Sequence, residues 1–298
     1  MTSRGALQAA LASRLGSANE ARWILEEVLG AGDGAGDGAD DGADDPAVRR
    51  LSDMVTRRLA GEPLQYLLGS WAFRTVELLV DDRALIPRPE TEQVVEVALA
   101  EARRQLAIVQ TLGEPLLVVD LGTGSGAIAL SISAELGGEC PQLRVAATDV
   151  DSSALQLAEA NRQRVAARVP HVLAQVGLRA GTWFDALAPE WRGRVHLVVS
   201  NPPYVSADEW PTLDPEVRRE PYGALVAAAG SDGTPGLAGV EAVLGSARGW
   251  LAPGGAAVVE MAPHQAASAL ELASRAGYRH VRVEPDLAGR PRAVVARR

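Results

Sequence analysis

Over residues 5–30, apolar side chains recur at helical spacing: Leu7, Leu11 and Leu15, then Trp23, Ile24 and Val28. Steps of three and four put such residues on one helix face, so this stretch predicts two short helices. A second helical pattern runs over residues 47–69, through Val48, Leu51, Val55 and Leu59 and then Leu64, Tyr66, Leu67 and Leu68. Between them, residues 31–45 are a run of Gly, Ala and Asp. That composition has nothing to bury and repels itself, so a disordered loop is expected. A calcium loop needs a fixed ligand register and a closing Glu, which the run lacks. Residues 1–70 therefore predict a small all-helical N-terminal domain.

The period then changes. Trp71, Phe73, Val76, Leu78 and Val80 alternate, and the run closes on Leu85-Ile86-Pro87, which predicts a β-hairpin connector over residues 71–88. A helix is expected from Glu90 to Leu106. From Pro115 onward, short apolar runs alternate with helical segments, notably 126–136 and 152–168. The candidate strands are 116–120, 144–149, 195–200, 256–260, 279–284 and 293–297. This alternation predicts an α/β domain over residues 89–298, with a mostly parallel, doubly wound sheet.

Composition narrows the function classes. With 47% hydrophobic and 22% charged residues the chain can bury a core. A net charge of −9 argues against affinity gained by neutralising phosphates, so neither nucleic acid nor an anionic surface is an expected partner. All the Lys and Arg positions are arginine. The single cysteine, Cys140, excludes an internal disulfide and fits a reducing compartment. The four histidines are scattered without zinc spacing, so no metal is expected. Neither a signal peptide nor a membrane span is recognisable, and a cytoplasmic location is expected.

The chemistry concentrates at two strand ends. The strand over residues 195–200 stops at Asn201-Pro202-Pro203-Tyr204. Neither proline can donate a backbone N–H, so the strand cannot continue, and the chain projects an amide, two carbonyls and an aromatic ring. In open α/β sheets that edge binds ligands. Asn carries both an acceptor and a two-proton donor, suited to a planar amide or an amino-substituted ring. The first α/β strand ends in Asp120-Leu121-Gly122-Thr123-Gly124-Ser125-Gly126 and runs straight into a helix. Such glycines permit a tight turn and close approach of a ligand to N–H groups at a helix start. Asp149, ending the second strand, is placed to accept from the two hydroxyls of a ribose. Asp120 either orders the glycine turn or faces a methionine amine. The dinucleotide fingerprint is Gly-x-Gly-x-x-Gly, whereas this loop is Gly-x-Gly-x-Gly preceded by an acid. That form favours S-adenosylmethionine over a nicotinamide cofactor.

These motifs resemble those of class I S-adenosylmethionine methyltransferases that methylate nitrogen in a planar conjugated group. Further segments resemble the peptide-chain release factor glutamine N5-methyltransferase family: Glu62-Pro63-Leu64-Gln65-Tyr66-Leu67-Leu68-Gly69, Leu85-Ile86-Pro87-Arg88-Pro89-Glu90-Thr91-Glu92, Glu220-Pro221-x-x-Ala224-Leu225 and Asp286-Leu287-Ala288-Gly289-Arg290. They span almost the whole chain. Asn-Pro-Pro-Tyr is shared with adenine-N6 methyltransferases, and the Ile-Pro-Arg-Pro-Glu-Thr-Glu segment is the more specific signal.

The resemblance implies a Rossmann-like seven-stranded sheet and an N-terminal domain that recognises the protein substrate. It implies S-adenosylmethionine as cofactor, leaving as S-adenosylhomocysteine, with Asp120, Gly122, Thr123, Gly124, Ser125, Gly126, Asp149, Trp183 and Asn201 around it. Asn201 and the Pro202 carbonyl bind the acceptor amide, with Pro203, Tyr204 and Arg88 also on the substrate side; Asn201, Pro202 and Tyr204 carry catalysis. The implied substrate is the glutamine of a Gly-Gly-Gln tripeptide in class 1 release factors. A glutamine in a large-subunit ribosomal protein is the alternative, and adenine N6 in nucleic acid a more distant one. Arg88 either closes the site or holds the connector. The chain departs from the family pattern at Thr182, where many members have an acid, leaving adenine to the backbone or to Asp185. The family's Glu-x-Gly-x-x-Gln reads here as Glu260-Met261-Ala262-Pro263-His264-Gln265, with Ala262 in place of the glycine, and the stretch 227–236 is looser and Gly-rich.

Overall fold

The computed structural model describes residues 4–30 and 45–298, so the expected loop at 31–44 lies outside the described residues. The chain divides into two compact units: one reaching to Ser70 and taking in Asp214–Arg219, the other comprising Trp71–Leu213 and Glu220–Arg298.

The first unit holds α1 (Arg4–Leu15), α2 (Ala18–Leu29), α3 (Pro46–Leu59) and α4 (Leu64–Leu68). The apolar stripes close on one another, with Leu11, Ala21, Leu25 and Val55 in one cluster and Ile24, Met54, Leu64 and Leu67 in a second. Asp45, expected in the loop, instead caps α3: its side chain accepts from the Ala47 N–H at 2.8 Å, with Pro46 opening the helix. An Asp just before an N1 proline is a strong helix start, which outweighs the run's composition at this position. Arg58 pairs with Glu20 at 2.7 Å and with Glu216 at 3.1 Å, and this joins the 214–219 segment to the helices.

From Trp71 the second unit opens on a two-stranded hairpin, β1 (Ser70–Phe73, its first residue counted in the first unit) and β2 (Val76–Leu79). Arg74 turns it with φ 51°, and its guanidinium is held by Glu135 at 2.6 Å and Glu96 at 2.7 Å. Next come α5 (Pro89–Leu112), β3 (Leu117–Leu121), α6 (Ala127–Leu136), β4 (Arg144–Asp149), α7 (Ser152–Ala166), α8 (Val172–Gln175), β5 (Val176–Ala180) and β6 (Val195–Ser200). The chain ends through α9 (Tyr222–Leu225), α10 (Ala238–Trp250), β7 (Leu251–Glu260), α11 (Ala266–Arg275), β8 (His280–Pro285) and β9 (Pro291–Arg297).

The main sheet has seven strands in the order β5-β4-β3-β6-β7-β9-β8, parallel except for β9, which runs antiparallel to both neighbours. Alternate residues of each strand serve opposite cores. Val118, Leu197 and Val258 pack under α5 and α6, while Val119, Val198 and Val259 pack under α10 and α11. This is the mostly parallel, doubly wound sheet the alternation predicted, in the Rossmann-like seven-stranded form the resemblance implied. The strand order reverses between β3 and β6, whose last residues Leu121 and Ser200 are register partners. At such a switch point the crevice outside the carboxyl ends is where open α/β sheets bind ligands.

Candidate active site

At that switch point the chain beyond β3 and the chain beyond β6 open onto one cavity of about 410 Å3. Its lining includes Gly122, Thr123, Gly124, Ser125, Asp149, Trp183, Asn201, Pro203 and Arg88. Asp120, Gly126, Pro202 and Tyr204 stand behind the wall rather than in it. The segment 84–88 and Thr91 form much of the remaining wall, so the Ile-Pro-Arg-Pro-Glu-Thr-Glu segment is a cavity wall as well as a helix start.

The glycine loop is fastened from below. Asp120 is fully buried; its Oδ2 accepts from the Thr123 hydroxyl at 2.7 Å and from the Ala129 N–H at 3.1 Å. Asp120 thus orders the turn. Its Oδ1 is buried with no partner among the described residues. Burial pushes this carboxyl up to about 7, against the lowering effect of its two donors. Gly122, Gly124 and Gly126 all have positive φ. A Cβ at Gly126 would lie 3.1 Å from Leu130 and 3.4 Å from Ala158, so this glycine serves helix packing. Asn161 on α7 ties the loop to the hairpin, donating to the Ser125 carbonyl at 2.9 Å and to the Leu79 carbonyl at 3.1 Å.

Asp149 spends one oxygen on the Gly124 N–H at 2.8 Å and the other on the Asp151 N–H at 2.9 Å. A carboxylate has about four lone-pair sites, so acceptor capacity remains toward the cavity. Trp183 follows Thr182 with φ 45°, and its ring edge lies 4.0 Å from where a Cβ on Gly122 would sit. Asp185 is exposed and does not line the cavity, whereas Thr182 and Trp183 do. Of the two replacements considered for the missing acid, only the backbone there is in place.

The Asn-Pro-Pro-Tyr string is braced on its far side by Thr91, Glu260 and Gln265, which lie in segments that resemble the family but were not expected as site residues. Asn201 Nδ2 donates to Thr91 Oγ1 at 3.2 Å, and the Thr91 hydroxyl donates to Glu260 Oε2 at 2.8 Å. The Tyr204 hydroxyl donates to Glu260 Oε1 at 3.2 Å. Gln265 Nε2 donates to the Tyr204 carbonyl at 3.1 Å. Gly236, with φ 67°, allows this contact: a Cβ there would sit 2.1 Å from the Tyr204 oxygen. The Gly-rich stretch around residue 236 is therefore a close-packing requirement. Burial pushes Glu260 up to about 7 and raises the Tyr204 hydroxyl well above its usual range, with Glu260 adding to the latter.

Arg88 pairs with the buried Glu220, which also accepts from the Ile86 N–H at 2.9 Å. Arg88 thus both lines the cavity and holds the 84–88 wall to the chain before α9. Ala262 causes no distortion: its N–H donates to Gln265 Oε1 at 3.1 Å.

A family model described as a methyltransferase small domain matches residues 105–213, and one described as the PrmC N-terminal domain matches residues 6–69. A release factor glutamine methyltransferase of Bordetella pertussis is 40% identical over 91% of this chain and 91% of its own length. The protein of the same name from Deinococcus radiodurans is 39% identical over 94% of this chain and 90% of its own length. That of Coxiella burnetii is 38% identical over 84% and 80%. The chain belongs to the release factor glutamine methyltransferase family. Thr182 and Ala262, where departures from the family pattern were expected, carry no bond to Asn201 or to the glycine loop among the described residues.

Proposed function

We propose that this protein transfers the methyl group of S-adenosylmethionine to the side-chain amide nitrogen (N5) of the glutamine in the Gly-Gly-Gln tripeptide of class 1 release factors. The family and the likeness to curated release factor glutamine methyltransferases support this reading. The observation that carries it is one cavity shared by the glycine loop, Asp149 and Asn201. Its volume suits a ligand of nucleoside size. Gly122 and Gly124, both in the lining and both with positive φ, fit the methionine end of the cofactor. Asp149 is assigned to the ribose, and Trp183 to the adenine.

Bound there, S-adenosylmethionine supplies an electrophilic methyl group. The chain's own residues supply the rest. An amide nitrogen is a weak nucleophile because its lone pair is delocalised into the carbonyl. Asn201 Oδ1 and the Pro202 carbonyl accept its two N–H groups and orient it toward the methyl, so positioning provides most of the catalysis. The same acceptors stabilise positive charge that builds on nitrogen as the bond forms. A strong side-chain base is not required, since the proton leaves once the nitrogen has become cationic. Pro203 and Tyr204 shape the substrate side. The helical unit over residues 1–70 is assigned to gripping the release factor, and the reaction to the cytoplasm.

Methyl-labelled S-adenosylmethionine incubated with a release factor tests this. Label is expected on the intact factor, and none when the tripeptide Gln is replaced. Asn201→Ala is expected to cost about 100-fold or more in kcat, the scale seen when an oriented hydrogen-bonding group is lost. Equal labelling of both factors, or full activity of Asn201→Ala, would contradict the assignment.

A further inference from the structure

The hydrogen bonds behind Asn201 have a direction. We propose that Thr91 is a positioning residue: its hydroxyl, with its proton committed to Glu260, fixes the Asn201 amide so that Oδ1 rather than Nδ2 faces the acceptor amide. This rests on the reading that Asn201 Oδ1 accepts the substrate N–H.

The geometry is as follows. An ionised carboxylate only accepts, and a hydroxyl has one proton. Glu260 Oε2 takes the Thr91 proton at 2.8 Å, so Thr91 Oγ1 offers only lone pairs to its other neighbour. That neighbour is the Asn201 amide, and only its NH2 end can answer; it does so at 3.2 Å. The amide is planar, so its oxygen is turned the other way, and Asn201 lines the cavity. Among the described residues no donor is bonded to Asn201 Oδ1. Left alone, the Asn χ2 torsion is broad and roughly two-fold. The flipped amide would aim two donors at a substrate NH2 that itself only donates.

The carboxylate end of the relay is fixed as well. Thr91 is 4% exposed and Glu260 0%. Glu260 also takes the Tyr204 proton at 3.2 Å, so a single carboxylate holds both ends of Asn-Pro-Pro-Tyr. Burial raises Glu260 to about 7, and Arg292, itself buried and held by Asp286 at 3.2 Å, works against that rise and favours the ionised carboxylate. The hydrogen bonds of Thr91 and Tyr204 to Glu260 are buried, where a low local dielectric strengthens them.

Thr91→Val removes the hydroxyl at constant shape, and Thr91→Ser restores it. Steady-state methylation of a release factor by Thr91→Val is expected to fall about 100-fold in kcat, the scale of a misoriented reacting group. Its KM for S-adenosylmethionine and its dissociation constant for S-adenosylhomocysteine are expected to stay within about twofold, since uniform binding is untouched. Thr91→Ser is expected to recover to within about threefold of the parent kcat, because the relay needs only the hydroxyl. If Thr91→Val does not fold, judged by S-adenosylhomocysteine binding, Thr91→Ala deletes the same hydroxyl without bulk and carries the same expectation. Full kcat in either hydroxyl-less variant, or no recovery in Thr91→Ser, overturns the relay. A parent enzyme that leaves the release factor unmethylated overturns the function reading instead.

Discussion

Asp120 gives one oxygen to the glycine loop and leaves the other buried without a donor. Its folded pKa of about 7 lies above the ordinary 3.8, so the folded state holds a proton that the unfolded state releases. The sign follows: this contribution to stability is fully present below about pH 4 and is lost as pH rises toward 7. Glu260, raised from 4.5 to about 7 by burial, acts in the same direction. The melting temperature of the ligand-free protein is therefore expected to fall between pH 5 and about 7.5, and to fall less in Asp120→Asn. A flat profile in the parent would contradict the assignment. Gly236 makes a separate claim. Alanine there needs a strained φ of 67° and puts a methyl 2.1 Å from the Tyr204 oxygen. Gly236→Ala is expected to cost about 2 kcal/mol or more in denaturant unfolding. It should also lower methylation by shifting the acceptor loop. At this scale Asn201, the glycines and Asp149 are legible because each belongs to a contiguous string at a strand end. Thr91, Glu260 and Gln265 also stand in segments that resemble the family, but their bracing role is not legible, because their partners are far away in the chain. Glu260 meets Thr91 across 169 positions.

The elements were legible where periodicity was strong. The helices of the first unit and the central strands match their apolar patterns, while three differences have local causes. Strand β5 has no expected counterpart: it is the sheet's edge, only Val176 is buried in it, and Gly177 breaks its apolar run. Helix α5 runs past Leu106 to Leu112, since Val109 stays on the buried face and Gly113 at φ 67° supplies the stop. Strand β7 starts at Leu251, before the expected 256, through an irregularity opposite Val195–Leu197 that Pro253, Gly254 and Gly255 accommodate. The junction of α5 with β7 also sets a pH dependence. Glu260 faces Arg292 and Tyr204, with Glu90 nearby, and Thr91 bonds it. The Thr91 relay needs the ionised carboxylate, so kcat is expected to rise between pH 6 and about 8. In Thr91→Val that rise should vanish. An unchanged profile would mean that Glu260 titration does not reach Asn201.

As a whole, the chain separates a catalytic α/β unit from a helical one, and the Asp214–Arg219 segment belongs to the helical one despite its position in the sequence. No periodic signal marks that segment; its placement comes from Arg58–Glu216 and from Arg219 donating to the Ala60 carbonyl at 2.5 Å. S-adenosylhomocysteine at a hundred times its dissociation constant is expected to stabilise the catalytic unit by about 2.7 kcal/mol through mass action alone. A melting temperature unmoved by the ligand would contradict the cavity assignment. The acceptor atom decides the function, and peptide mass spectrometry identifies it. After incubation of a release factor with S-adenosylmethionine and this protein, the Gly-Gly-Gln peptide should gain the mass of one methyl group, with fragment ions placing it on the glutamine side chain. Methylation placed on any other residue, or a Gly-Gly-Gln peptide left unmodified, would contradict it.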